Sequence, residues 1–274
     1  KEDLESILDD CIAISMPQSH LLWHYRSRHE SLISYSNMKY YGNQLYTFPS
    51  PNDLVSEVKL VHVDGVYDRG GSKQNLGEAK AVVDEVIRRL SDKNLRKNSI
   101  GIVTFNINQQ NLIDDLLTDA LSEHPELEQY AYGGEEPIFV KNLENVQGDE
   151  RDVILFSVCY GPDKNGMVTL NFGPLNQTGG WRRLNVAITR AKKSMVIFSA
   201  LRPEQIDLSR TSSEGVEGLK GFLEFAQKGQ NALSYGEKSE TDIIQMESII
   251  CEKIEEMGYA YKMKIGSSKY KIDI

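Results

Sequence analysis

The chain has 274 residues, enough for one large domain or two ordinary ones, and its 40% hydrophobic and 26% charged content fits a globular protein with a sizeable core. No stretch approaches the roughly 20 consecutive apolar residues of a membrane helix, and no basic-then-apolar start reads as a signal peptide. The net charge of -9 counts against nucleic acid when averaged over the chain. Binding, however, responds to local potential, and the cations are clustered.

In chain order, residues 2–10 read as a polar, acidic helix and 11–16 as an apolar segment. His29 to Tyr40 carries Leu32, Ile33, Tyr35 and Met38 at the spacing of a short amphipathic helix. Residues 58–63 alternate and are β-branched, which predicts a strand. A helix over 78–90 puts Ala79, Val82, Val83, Val86, Ile87 and Leu90 on one face. The continuous apolar run 100–105 predicts a buried parallel strand, followed by a helix from about 108 to 121. Strands are expected at 137–143, 153–160 and 194–200, with a loop over 161–180 and a helix over 182–191. Strands alternating with helices predict an α/β parallel sheet covered on both faces. One helix is expected at 219–227, then another from about 241 to 257 and a strand-like 259–274 that opens a partial α+β segment. The chain divides on this reading into 1–205, a connector over 206–235, and 236–274.

Cys11, Cys159 and Cys251 are scattered, without metal-ligand spacing, and read as idle or buried thiols of a reducing cytoplasm. Three polar stretches at strand ends carry the chemistry. The first is Tyr25-Arg26-Ser27-Arg28, either a phosphate or carboxylate clamp or a surface arginine packed beside Trp23 and Tyr25. The second, residues 144–157, brings Gln147, Gly148 and Glu150 to the mouth of a strand, either as ligand contacts or as a turn with a solvated charge run. The third, residues 181–193, puts Arg183 and Arg190 seven apart, predicting both on one side of a helix two turns apart. A rigidly held arginine suits a developing phosphate charge; an arginine serving its own helix dipole is the alternative. From Trp181 to Ala200 there is no acidic residue.

Together the three stretches resemble motifs IV, V and VI of superfamily-1 helicases, in the branch that includes the nonsense-mediated-decay helicase. YRSRHESLISYSN is similar to motif IV, NVQGDERDVILFS to motif V, and RRLNVAITRAK to motif VI, within roughly residues 11–202. The resemblance implies a second RecA-like motor domain forming one wall of a cleft for ATP with Mg2+. It implies that Tyr25 stacks near adenine, Arg26 contacts the γ-phosphate, Gln147 and Gly148 face the nucleotide, and Glu150 holds the ribose. Arg190 becomes the arginine finger, supported by Arg183. Residues 100–110 resemble the segment that lays Thr104 and Asn106 against a nucleic-acid backbone. Asn142 stands where many relatives have a phosphate-touching Thr. Trp23, Trp181 and the tyrosines of 40–46 serve core or hinge packing, or else base stacking.

No GxxxxGK[ST] and no apolar strand ending in Asp-Glu occurs in the chain. The resemblance assigns both to a preceding motor domain, the expected partner along with single-stranded DNA, and leaves this chain without ATPase activity alone. No membrane partner is expected. Residues 246–274 resemble the entry helix and first strands of restriction-endonuclease-like domains, which makes Asp273 an incomplete metal ligand and Glu247 an accessory. A non-motor single-strand-binding module is the rival reading; a Rossmann-type enzyme would need a GxGxxG turn that is absent.

Overall fold

The continuous apolar runs form the interior of a five-stranded, wholly parallel sheet, in a computed structural model that describes residues 7–50, 55–229, 245–263 and 266. The strands are β1 (Val58–His62), β2 (Ile100–Thr104), β3 (Phe139–Asn142), β4 (Arg151–Ser157) and β5 (Ala191–Ser199), in the order β1-β5-β4-β2-β3. The helices are α1 (Ile7–Ala13), α2 (Ser31–Tyr40), α3 (Leu76–Ser91), α4 (Ile107–Glu123), α5 (Pro125–Tyr132), α6 (Gly180–Ile188), α7 (Glu214–Lys228) and α8 (Gln245–Glu256).

Side chains of a strand alternate between faces, and here both faces are covered. Ile154 and Phe156 of β4, with Met195 and Ile197 of β5, join residues of α2, α6 and α7 in one core. Val153 and Leu155, with Val196 and Phe198, join residues of α3, α4 and α5 in the other. The result is the α/β parallel sheet with helices on both faces that the sequence predicts.

Several boundaries move for physical reasons. The apolar run expected as a strand over 153–160 starts at Arg151 and leaves the ladder after Ser157, because Cys159 takes φ 67° and Tyr160 folds back onto Val158 O. The helix α5, unforeseen, begins on Pro125, whose missing N–H suits a first helical turn. The start of α7 lies at Glu214 rather than 219, with Ser213 accepting from Val216 N. Its Gly215 is a packing requirement: a Cβ there would lie 2.3 Å from Leu175 O. The helix expected over 182–191 is α6, which stops at Ile188; Arg190 is therefore not on a helix face two turns from Arg183. The chain must leave the helix there because β5 begins at Ala191, opposite Arg151. At the other end, α8 is present, whereas residues 259–263 form no strand and Asp273 lies outside the described residues. The side chain of Glu247 lies outside them as well.

One buried polar node ties the carboxyl ends of the strands to α3 and α4. Asn75 caps α3, accepting from Glu78 N, and Gln109 of α4 both accepts from Asn75 N and donates to Asn75 O. Glu78, fully buried, accepts from Cys159 N at 2.6 Å, Ser157 Oγ at 2.9 Å and Ala200 N at 2.7 Å. Burial raises its pKa to about 7 from the ordinary 4.5, against the pull of those donors.

A carboxyl whose folded pKa is raised contributes stability that is present below its unfolded pKa and is lost as pH rises through the folded one. The stability difference between the wild-type chain and Glu78→Gln should therefore shrink by about 3 kcal/mol between pH 4.5 and 7.5. Urea unfolding across that range reads it, and a gap independent of pH would contradict the assignment.

Candidate functional site

The sheet sorts the predicted site residues to its two ends. Glu150 directly precedes β4 and Arg190 directly precedes β5, and these strands are neighbours with Arg151 opposite Ala191. Glu150 and Arg190 therefore stand side by side at the amino ends of the strands. Residues 24–28 lie along the start of β5, where Ser27 Oγ donates to Ala191 O at 3.2 Å and Arg28 N to Lys192 O at 2.8 Å. Arg26 is thereby carried into the same corner.

There Arg26 Nε donates to Glu150 Oε2 at 2.7 Å, and its Nη1 donates to Thr189 O at 3.3 Å. Arg190 is buried against the end of α6, its Nε donating to Val186 O at 2.6 Å and its Nη2 to Thr189 Oγ1 at 3.0 Å. It thus satisfies one of the helix's last carbonyls, the alternative role open to it from sequence. Arg26 Nη2 and Arg190 Nη1 have no hydrogen-bond partner among the described residues. Burial and then the charge of Arg26 hold the pKa of Arg190 down while Glu150 raises it, so the carboxylate is what lets two guanidinium groups share one corner. An arginine nonetheless stays charged.

His24 closes the turn that carries Arg26, its Nε2 accepting from Ser27 N at 3.1 Å. A neutral ring that accepts there holds its proton on Nδ1. Burial first, then the charges of Arg26 and Arg190, lower its pKa to about 4. Around the cluster, Tyr25 is 83% exposed with the Arg26 guanidinium 5.8 Å from its ring centre. Buried Asn185 donates to Tyr41 Oη at 3.0 Å, while its Oδ1 has no partner among the described residues.

The other predicted residues are placed less tightly. Gly148 has φ 91°, a conformation that L side chains rarely adopt, in a crossover from β3 to β4 that contains no helix and is pinned by buried Leu143 and Val146. Gln147 in that crossover is exposed. Arg183 makes no hydrogen bond or ion pair among the described residues, so what holds Arg190 is Thr189 and Val186. Trp181 stacks on Tyr40 at 5.0 Å, a packing role, and Trp23 packs against Tyr46 and Phe48 while staying half exposed.

Thr104 and Asn142 are register partners at the carboxyl ends of β2 and β3, the opposite side of the sheet from the arginines. Both are buried; Asn142 donates to Gln110 Oε1 at 3.0 Å, and Thr104 Oγ1 has no partner among the described residues. Asn106, half exposed, caps α4 by accepting from Gln109 N. It lines a crevice of about 380 Å³ with Arg69, Lys73, Asn108, Tyr160 and Asn171. Among the described residues no group of His, Cys, Asp or Glu could hold a metal ion, and no helix is long and apolar enough to cross a membrane.

A parallel sheet with two arginines held at one strand-end edge fits the α/β domains of nucleotide-driven motors. The chain belongs to the AAA_12 family of AAA domains, whose profile matches residues 4–202. It is similar to an uncharacterized ATP-dependent helicase of Mycoplasma genitalium, MG140, with 38% identity over 224 residues, 80% of this chain and 19% of that protein. The MG140 homolog of Mycoplasma pneumoniae is 34% identical over 218 residues, covering 77% of this chain and 18% of the relative. DNA polymerase alpha-associated DNA helicase A of Saccharomyces cerevisiae is 32% identical over 159 residues, covering 54% and 20%. The chain spans about a fifth of the length of each. Family and relatives together make it an AAA domain similar to part of proteins named as helicases.

Because the folded pKa of His24 lies below the ordinary 6.5, the neutral ring's contribution is full above pH 6.5 and is lost as pH falls towards 4. Gln at this position keeps an acceptor for Ser27 N but does not titrate. The stability advantage of wild type over His24→Gln should therefore narrow on acidification across that range. A constant advantage in denaturant titrations at pH 7 and pH 4.5 would show that His24 is not held neutral in this buried corner.

Proposed function

We propose that this chain is the second motor domain of an ATP-dependent superfamily-1 DNA helicase or translocase, in the branch that includes the nonsense-mediated-decay helicase. On this reading ATP with Mg2+ is bound between this domain and a preceding RecA-like domain of the same protein. The observation that carries the reading is the corner at the amino ends of β4 and β5. There Arg26 and Arg190 are each anchored by two hydrogen bonds, and each keeps a terminal nitrogen without a partner among the described residues. A fixed guanidinium pair of this kind complements charge growing on a phosphoryl group, because its cost of orientation is met before the reaction begins.

Arg190 then acts as the arginine finger and Arg26 as the second phosphate contact. Glu150 exchanges its hold on Arg26 for the ribose, and exposed Tyr25 supplies a face for adenine. Gln147 and Gly148 border the nucleotide from the crossover, and Arg183 adds positive charge at the rim. The described carboxylates form no metal-binding group, so Mg2+ would rest on the phosphates and on the facing domain. Hydrolysis changes the spacing of the two domains, and single-stranded DNA is moved across the carboxyl ends of the strands. Asn106 stands open there beside Lys73 and Arg69, while Thr104 and Asn142 lie beneath the surface. The yeast relative is named as a DNA helicase, which supports DNA as the track. The segment from residue 246 onward begins a restriction-endonuclease-like domain on the same reading.

The test is nucleic-acid-stimulated ATP hydrolysis by the full-length protein, with DNA and RNA compared. Arg190→Ala should lower kcat by roughly 10³-fold or more while ATP still binds, as for other arginine fingers. The isolated chain, without a phosphate-binding loop, should show no turnover. Near-normal hydrolysis by Arg190→Ala, or hydrolysis by the isolated chain, would overturn the proposal.

A further inference from the structure

We infer that Thr189 is the positioning residue of the arginine pair, its hydroxyl fixing Arg190 and its backbone carbonyl fixing Arg26; this rests on the motor-domain reading above. Two like charges in one half-buried corner repel, so neither will hold a single orientation unless something other than its partner anchors it. Among the described residues, Thr189 is the one that hydrogen-bonds both. Its carbonyl oxygen accepts from Arg26 Nη1 at 3.3 Å, and its Oγ1 accepts from Arg190 Nη2 at 3.0 Å.

The hydroxyl has one proton and two lone pairs. Its proton is directed to the last turn of α6, where Asn185 O lies at 2.9 Å and Val186 O at 3.0 Å. A lone pair is thereby left for Arg190. The same Val186 O also receives Arg190 Nε at 2.6 Å. Thr189 Oγ1 and Val186 O thus form a two-point clamp on the guanidinium, built where the helix ends at its C-cap. The β-branched side chain has few χ1 choices, so the oxygen is held in place as well.

The two arginines depend on Thr189 through different atoms, and that asymmetry makes the inference testable. Valine keeps the branched shape but removes the acceptor; it frees Arg190 Nη2 and leaves the carbonyl that holds Arg26. Serine keeps the acceptor and loses only a methyl group. A clamp acts on the geometry of the reacting complex, where a misplacement of about 1 Å can cost on the order of 100-fold. Binding of ATP itself does not need it.

In the full-length protein, steady-state ATP hydrolysis should show kcat lowered about 10- to 100-fold for Thr189→Val with KM within about threefold of wild type, and Thr189→Ser should restore kcat to within about threefold. Adding Thr189→Val to Arg190→Ala should lower kcat no further, because the residue acts through that arginine. Should the valine variant fail to fold, judged by its melting temperature, Thr189→Ala set against Thr189→Ser makes the same comparison. Wild-type turnover in Thr189→Val beside an inactive Arg190→Ala would overturn the inference and spare the motor reading. So would equal impairment of the valine and serine variants, or a change confined to KM. A wild-type protein that hydrolyses no ATP would overturn both.

Discussion

Burial of the sheet on both faces leaves polar chemistry nowhere to go but the two ends of its strands. The interior of β4 and β5 is apolar on both sides, with Ile154 and Phe156 facing one core and Val153 and Leu155 the other. A charge placed mid-strand would be stranded in hydrocarbon at a cost of several kcal/mol. Cations, carboxylates and amides are accordingly pushed outward. Arg26, Glu150 and Arg190 gather at the amino ends, and Asn106, Asn142 and the Glu78 node at the carboxyl ends. The separation of an arginine-bearing edge from an amide-bearing edge follows from the core before any ligand is considered.

At the amino edge the governing problem is electrostatic. Two guanidinium groups and an imidazole converge on a corner with one carboxylate, Glu150, in direct contact. The molecule resolves this by keeping His24 neutral, giving Glu150 to Arg26, and seating Arg190 against the negative end of α6. Helix-end carbonyls suit a buried arginine because they supply partial negative charge without an acid that could repel a phosphate. The corner remains net positive and partly unsatisfied, a state suited to an anion.

Much of this was legible in the sequence, and the misses have identifiable causes. Continuous apolar runs marked the central strands, and the amphipathic spacing of 78–90 marked α3, because burial on two faces or on one leaves a periodic trace. Arg26, Glu150 and Arg190 were readable from motif order, and the structure brings those three together. Periodicity could not show where α6 ends, since Leu184, Ala187, Ile188 and Ala191 keep a helical spacing after the chain has turned into β5. Gly215 and Gly218 fell before the helix expected at 219–227, yet they lie within α7 and permit close contact with Leu175 and Tyr40. Thr189 and Glu78 were not singled out, and His24 counted only as one of the clustered cations although its ring is held neutral; their partners are backbone groups or lie far along the chain, and neither leaves a local pattern. A hydroxyl beside the arginine in Ile188-Thr189-Arg190-Ala191 was the one available hint.

The strand order carries a further consequence, for the order of assembly. β1 joins the sheet solely through β5, which is formed by residues 191–199. Glu78 waits on donors 79, 81 and 122 residues further along the chain. Synthesis from the amino end must therefore emit about 130 residues beyond β1 before that strand has a neighbour, and 122 beyond Glu78 before its last donor is present. Until then the nascent chain exposes an orphan strand, a surface of the sort that chaperones shield. Contacts this distant also make folding slow for its size.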